Sequence, residues 1–293
     1  MKWRRGKMSR DVIDRRGAPR MGGGAGMAIG GLGIPGLLIL ALVFFLNGGF
    51  SGGGGTDIGS PFDDMQGGDT RGEAPLEGPD PDARLASFVS FVLDDVQNFW
   101  EDTFSGSGRE YRRAKLVLFE AGTNSGCGGA TEQIGPHYCP ADENVYLDLS
   151  FLKDMRTDLE APGDFAQAYV IAHEIGHHVQ HVMGINEQVR REQEADQDRA
   201  NELSIRLELQ ADCLAGVWAF TTFERDLLES GDLREGLDAA AAVGDDRLQE
   251  EATGSIDRES WTHGSSEQRV EWFTNGYEDG DPNACDTFSV DEL

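Results

Sequence analysis

The sequence predicts an α+β fold that is mostly helical and contains a small sheet. Apolar residues recur at helical spacing in several segments, among them residues 85–100, 204–223, 232–243 and 266–275. Two short runs rich in β-branched and aromatic residues, 114–119 and 144–150, are typical of strands. A Gly-rich segment, residues 122–135, separates the two runs. Together these observations favour one mixed domain at residues 84–293.

Residues 1–83 have a different composition from the rest of the chain. Residues 1–20 contain eight Lys or Arg and two Asp, a net charge of +6, so we interpret residues 1–25 as a basic leader. Residues 21–56 contain no charged side chain, and we predict one transmembrane helix at residues 26–48. Residues 49–83 are rich in Gly, Asp and Pro, which predicts a flexible, disordered linker.

A cleaved signal peptide is the competing interpretation of this N-terminal segment. The basic region is long, the uncharged span exceeds the usual signal-peptide core, and no convincing cleavage site follows it. An uncleaved single-pass anchor is therefore favoured. The positive residues before the apolar span predict a cytoplasmic N-terminus and an extracytoplasmic domain at the cell membrane.

The charge of the chain excludes one class of partner. The net charge is -28, and the part after residue 20 carries -34. Such a surface repels phosphate backbones, so we expect no nucleic-acid partner. The sequence leaves the oligomeric state open.

Four cysteines lie in the part of the chain that we assign to the outside. An oxidising compartment permits two disulfides, with three possible connectivities. We favour Cys127 with Cys139 and Cys213 with Cys285. The alternative is that Cys127, Cys139 and His137 bind a structural zinc ion, although the C-x₂-C spacing is missing.

The segment His173-Glu174-Ile175-Gly176-His177 carries the chemistry. Residues four apart on a helix share one face, so His173 and His177 can bind one metal ion. Glu174 is then placed as general base for a water on that ion. An apolar stripe leads into the motif, and we expect its helix to run from an N-cap at Asp164 to Gly184. One catalytic Zn²⁺ is the expected cofactor.

A third ligand is expected from the helix that follows. Glu208 and Asp212 share a face between apolar neighbours, where two carboxylates need a partner. We predict that Glu208 binds the metal and that Asp212 accepts the outer N–H of a ligand imidazole. Ordinary pairs with Arg199 or Arg206, or Asp212 as the ligand, are the alternatives. We leave His178 and His181 out, because ligands at 173, 177 and 181 would spread over about 12 Å of helix.

The chain resembles a bacterial family of membrane-anchored neutral zinc metallopeptidases. The matching segments cover nearly the whole sequence: Met1-Lys2-Trp3-Arg4, Asp14-Arg15-Arg16-Gly17, residues 135–140, 145–148, 173–180, 206–213, 244–249 and 262–269. The resemblance implies a gluzincin-like, zincin-type metallopeptidase domain that acts on peptides or proteins. His137 stands where an aromatic Phe is usual in the family, which argues against a necessary role for His137.

His263 precedes the last predicted helix, in a segment similar to a His-containing segment of other membrane-associated gluzincin-type peptidases, and this similarity suggests a catalytic role for it. We expect it to donate a hydrogen bond to the oxyanion of the tetrahedral intermediate, with Arg269 as a second candidate. A surface histidine near a helix cap is the alternative. The strand at residues 145–149 is a candidate edge for an extended peptide. Two other functions stay open: a non-catalytic zinc-containing domain that binds or senses a partner at the envelope, and an amidase acting on cell-wall crosslinks.

Overall fold

The computed structural model describes residues 1–18, 73–74, 76, 78–131, 135–155 and 163–293. Within these residues the fold is α+β and mostly helical, as predicted. The predicted transmembrane helix, residues 26–48, and most of the predicted linker, residues 49–83, lie outside the described residues. Among the helices that are described, none is long and apolar enough to span a bilayer.

A four-stranded sheet forms one side of the domain. Its strands lie in the order β1 (Val12–Asp14), β2 (Lys115–Phe119), β6 (Asn144–Asp148) and β5 (His137–Cys139). The first three are parallel, and β5 is antiparallel to β6. A separate hairpin, β3 (Gly122–Ser125) and β4 (Gly128–Thr131), occupies the Gly-rich segment. The expectation that residues 145–149 form a free edge is wrong, because β6 lies inside the sheet and β5 is the edge strand.

The helices of the described residues pack around a core made by three of them. They are α1 (Ala83–Gly106), α2 (Leu149–Asp154), α3 (Asp164–Met183), α4 (Ile185–Ala195), α5 (Ala200–Glu224), α6 (Asp232–Ala242), α7 (Asp245–Thr253) and α8 (Ser266–Asp279). Helix α5 packs against both α3 and α8. Phe165, Tyr169 and Trp218 are among the largest fully buried side chains at these contacts. The long helices therefore hold the core, and the sheet supports one end of α3.

The N-terminal arm, residues 1–18, is part of the domain rather than a separate leader. Its strand β1 pairs with β2 in parallel register, Ile13 opposite Val117. Trp3 packs on two Phe rings of α1, and Arg16 bridges Asp14 and Asp80. The predicted boundary at residue 84 is thus incorrect for this segment, because the arm supplies a strand and buried side chains to the fold.

The start of α3 also differs in detail from the expectation. Gly163 is the N-cap and Asp164 is the first residue of the helix. The Asp164 carboxylate pairs with the Met1 ammonium, which Asp232 also contacts at 3.1 Å. Helix α3 ends at Gly184, whose φ of 80° is a left-handed conformation that favours glycine. The predicted end of the helix is confirmed.

Candidate metal centre

Helix α3 presents the two predicted histidine ligands on one face. His173 and His177 lie one turn apart, with ring centroids 4.8 Å apart. The Nε2 atom of His173 lies 3.3 Å from one Glu208 oxygen, and that of His177 lies 3.4 Å from the other. One potential ligand atom from each of the three residues falls within a 4.8 Å group. The structure thus brings together the three side chains that we predicted to bind metal.

The approach of α5 to α3 places Glu208 beside the histidines. Gly176 lies between the two histidines in sequence, on the α3 surface that faces α5. A Cβ atom at Gly176 would lie 3.0 Å from the backbone oxygen of Ala211. A side chain here would push the two helices apart, so the glycine permits the short separation that the carboxylate needs.

Asp212, one helical turn after Glu208, contacts the Nδ1 side of the His173 ring. The Nδ1–H of His173 donates to Asp212 Oδ1 at 2.8 Å, which directs the Nε2 atom towards Glu208. The Tyr169 hydroxyl donates to the same oxygen at 2.5 Å. The predicted contact between Asp212 and a candidate ligand imidazole is therefore present.

Arg269 completes this buried cluster and is not free to reach a substrate. Its guanidinium donates to both Asp212 oxygens, at 2.8 and 3.0 Å, and to the Tyr169 hydroxyl at 3.2 Å. The residue is only 3% exposed. Arg269 is thus engaged in balancing the buried Asp212 charge, so these contacts do not favour it as the oxyanion donor.

The second histidine is held in an equivalent way by its own helix. The Nδ1–H of His177 donates to Gln180 Oε1 at 2.9 Å. Both imidazoles consequently have their Nδ1 atoms occupied and their Nε2 atoms directed at the shared carboxylate. This is the arrangement that a divalent cation with nitrogen and oxygen ligands requires, so the donor set fits zinc.

The electrostatics of the centre favour a positive charge between these groups. Burial acts to lower the pKa of His173, but the charge and hydrogen bond of Asp212, together with Glu208, raise it to about 10. Burial also acts to lower the pKa of His177, but the charge and hydrogen bond of Glu208 outweigh this effect and raise the pKa above its ordinary value. For Glu208, burial raises the pKa, whereas the two imidazoles hold it well below its ordinary value. A cation bound there would satisfy the carboxylate in place of imidazole protons.

Glu174 lies beside this centre without a structural partner of its own among the hydrogen bonds described. It is 7% exposed and follows His173 directly on α3. Its negative charge acts to raise the pKa of both His177 and His137. A carboxylate close to the metal ligands with unused acceptor capacity is suited to accept a proton.

His263 faces the same centre from the loop before α8. Its Nδ1–H donates to Asp245 Oδ1 at 3.1 Å, and Asp245 also accepts the backbone N–H groups of residues 262–264. Burial acts to lower the pKa of His263, but Asp245 and the nearby Glu208 raise it. The imidazole is 36% exposed. It can therefore present an N–H to a molecule at the centre.

The other histidines serve structural contacts. His178 is buried between the Tyr138 hydroxyl and the Arg112 carbonyl, and burial lowers its pKa. His181 lies 3.5 Å from Glu143. His137 stacks on Tyr146 with ring centroids 5.3 Å apart. Neither of the two groups of potential metal ligands found among the described residues includes any of these three histidines.

Both favoured disulfides are present. Cys127 is bonded to Cys139, and Cys213 is bonded to Cys285. The alternative of a structural zinc ion on Cys127, Cys139 and His137 is therefore incorrect, because the two sulfur atoms are bonded to each other.

Five residues around the centre escaped the sequence analysis: Tyr169, Gln180, Gln210, Asp245 and, in its actual role, Arg269. Gln180 follows His177 by three residues and Tyr169 precedes His173 by four, and these spacings on α3 were the available signals. Gln210, Asp245 and Arg269 come from other elements, and their contacts depend on how α5, α7 and α8 pack.

Comparison with known proteins agrees with this geometry. The chain matches the family described as "Putative neutral zinc metallopeptidase" over residues 1–288. It is 45% identical over 294 residues to the uncharacterized protein YpfJ of Escherichia coli K12, covering 98% of this chain and 99% of YpfJ. It is also 41% identical over 227 residues to the uncharacterized protein Rv2575 of Mycobacterium tuberculosis, covering 74% and 75% of the two chains. No solved structure matches. The chain belongs to the putative neutral zinc metallopeptidase family.

Proposed function

We propose that the protein is a zinc-dependent peptidase whose metal is held by His173, His177 and Glu208. The observation that carries the proposal is the convergence of the two Nε2 atoms and the Glu208 carboxylate within 4.8 Å, with Glu174 following His173 directly on the same helix. Three protein ligands with room for a fourth are typical of catalytic rather than structural zinc sites.

The residues of the chain can divide the reaction between them. Bound zinc supplies a Lewis acid that polarises a carbonyl group and makes water more acidic. Glu174 accepts the proton of the attacking water and passes it to the leaving amine as the C–N bond breaks. His263 donates an N–H to the oxygen that becomes negative, and Asp245 keeps its ring in the orientation that allows this.

The outer edge of β5 is the proposed site for an extended peptide. This strand ends the sheet on the side next to α3, and its described partner is β6 alone. A peptide that added a strand here would run beside the metal centre and use backbone hydrogen bonds for affinity. Peptides and unfolded proteins are therefore the proposed substrates.

The test is hydrolysis of casein and of murein by the purified protein, together with metal analysis. We expect one zinc ion per chain and cleavage of casein. Glu174→Gln should retain zinc and lose turnover, whereas Glu194→Gln, an exposed acid on α4, should behave as wild type. Cleavage of murein alone would favour the amidase. Zinc binding without turnover of either substrate would favour the binding or sensing domain and overturn the peptidase.

We further propose that the protein acts at the cell envelope, attached to the membrane through residues 26–48. Two disulfides in the domain support an oxidising compartment. The pairing of β1 with β2 conflicts with a single membrane crossing at residues 26–48, because such a crossing would place these two strands on opposite sides of the membrane. A cytoplasmic N-terminus together with an extracytoplasmic domain would require the N-terminal arm to leave the sheet.

A further inference from the structure

We propose that Gln180 and Gln210 form a hydrogen-bond relay that connects His177 to the C-terminal segment, residues 282–293, and fixes the orientation of the His177 ring. The Cys213–Cys285 disulfide ties this segment to α5. The consequence is that metal affinity depends on contacts more than one layer away from the metal. This inference rests on the proposed zinc site and extends it to two residues that no ligand motif includes.

The relay is continuous from the imidazole to the disulfide. Gln180 accepts from His177 and donates through Nε2 to Gln210 Oε1 at 3.1 Å. Gln210 in turn donates through Nε2 to the backbone oxygen of Cys285 at 2.9 Å. Gln180 is fully buried and Gln210 is 7% exposed, so water competes little for these amides.

The direction of each amide group is fixed by a partner that can only accept. Gln180 Nε2 also donates to the backbone oxygen of Leu207 at 2.7 Å. Since a carbonyl has no proton to give, each NH₂ group must face its carbonyl, and each Oε1 must face the next donor. Gln180 therefore offers oxygen, not NH₂, to the Nδ1–H of His177. The Nε2 lone pair is then left for the metal.

Helix α5 carries the metal contacts and the tail contacts on different faces. Glu208 and Asp212 face α3, whereas Arg206, Gln210 and Cys213 are spaced at i, i+4 and i+7 towards the C-terminal segment. Arg206 donates to the backbone oxygens of Thr287 and Val290, and the Thr287 hydroxyl returns a bond to the Arg206 carbonyl at 2.7 Å. The segment is thus fastened along the turns of α5 that bear Glu208.

Variants of the glutamines give the first test. Gln180→Leu removes the acceptor for His177, and we expect zinc affinity to fall about 10- to 100-fold in a chelator competition. Gln180→Glu keeps an acceptor oxygen, so it should recover most of that loss even though a buried carboxylate facing carbonyls lowers thermal stability. Gln167→Leu is the control, because Gln167 is a buried glutamine of α3 whose side-chain amide donates a hydrogen bond to the Leu152 carbonyl. It should leave zinc affinity unchanged.

The second test separates the relay from general stability. Gln210→Leu and the double variant Cys213→Ala/Cys285→Ala should each weaken zinc binding, while Cys127→Ala/Cys139→Ala should not. The Nδ1–H resonance of His177, observed by ¹⁵N-histidine NMR in the metal-free protein, should shift or broaden in Gln210→Leu. Should the disulfide variant fail to fold, Gln210→Leu retains the disulfide and still decides the question.

The outcomes distinguish the two proposals. A wild-type protein that binds no zinc would overturn the proposed function. Zinc binding by the wild type with unchanged affinity and an unchanged His177 resonance in Gln180→Leu and Gln210→Leu would overturn the relay and leave the proposed function standing. A loss in Gln180→Leu that Gln180→Glu does not recover would also contradict the relay.

Discussion

At the scale of single residues, the centre is built so that each histidine is fixed at its Nδ1 atom. Asp212 does this for His173, and Gln180 does it for His177. A carboxylate and an amide differ in charge, and Arg269 accompanies only the carboxylate. The two imidazoles are therefore oriented by partners of different strength, and we expect the Asp212 side to be the more sensitive to substitution.

Asp212→Asn tests this expectation. The substitution gives the buried Arg269 guanidinium a neutral amide in place of the Asp212 carboxylate, so we expect a loss of about 3 kcal/mol in the free energy of unfolding. Zinc affinity should fall about 10- to 100-fold. Asp148→Asn is a matched control, since Asp148 is also fully buried but caps α2 away from the metal centre. It should lower stability without changing zinc affinity, and equal zinc affinities in Asp212→Asn and wild type would contradict the assignment.

His263→Ala tests the donor on the opposite side of the centre. Removing a hydrogen bond that forms only to the developing oxyanion should lower kcat about 10²- to 10³-fold with little change in KM or zinc content. Asp245→Asn should lower kcat less, because the ring stays and only its orientation loosens. Steady-state peptide hydrolysis measures both variants. An unchanged kcat in His263→Ala would leave His263 no role beyond its hydrogen bond to Asp245.

The sequence predicted the candidate ligands because their signals are local. His173 and His177 follow from helical spacing, and Glu208 with Asp212 from two acids in an apolar helix. The partners of those ligands were not predictable in this way. Arg269 lies 57 positions from Asp212, and nothing in its own segment indicates that it turns inward rather than towards solvent. Such contacts depend on the crossing of helices, which a single sequence does not specify.

At the scale of elements, the long helices and the five-residue strands β2 and β6 were predicted, whereas the strands of three or four residues were not. Helix α5 has many turns over which its periodicity accumulates, whereas β1 has three residues inside a basic segment. The partner of β1 lies about a hundred residues away, so its pairing leaves no local pattern. Basic composition suggested a leader, but Arg16 and other cations of the arm find carboxylates within the fold.

One buried acid of the arm, Asp11, helps to hold it to the domain, and the stability that its ion pairs contribute should depend on pH. Asp11 is 2% exposed and accepts from Arg113 Nε at 2.6 Å and Lys115 Nζ at 2.7 Å. Burial acts to raise the pKa of Asp11, but these two cations lower it below its ordinary value. The contribution of Asp11 to stability is therefore complete above the pKa of the unfolded chain and is lost as pH falls through the folded value.

Asp11→Asn should cost about 2 kcal/mol in the free energy of unfolding at pH 7. The difference from wild type should shrink at pH 3, which lies below the ordinary pKa of an Asp carboxyl group, because Asp11 of the unfolded wild-type chain is then protonated. Urea denaturation at the two pH values measures this. Asp226→Asn, at an exposed acid that pairs with Lys2, is the control and should change stability by less than about 0.5 kcal/mol at either pH. A pH-independent cost for Asp11→Asn would show that the ion pairs contribute nothing.

At the scale of the whole molecule, the arm and the domain form one folded unit. The arm contributes Met1 and Val12 to the main core, and its strand closes one edge of the sheet next to β2. The domain also carries two disulfides. If the domain lies in an oxidising compartment, the docked arm lies in the same compartment, whatever path residues 19–72 take.

Cysteine labelling in spheroplasts tests this. Met8 and Ile256 are 43% and 50% exposed, one in the arm and one in the domain. With a membrane-impermeant maleimide, Met8→Cys and Ile256→Cys should label equally in intact spheroplasts, because β1 keeps both on one side. The unmodified protein, whose described cysteines are all paired, is the control. Labelling of Ile256→Cys before lysis and of Met8→Cys only after it would mean that the arm undocks and residues 26–48 cross the membrane once.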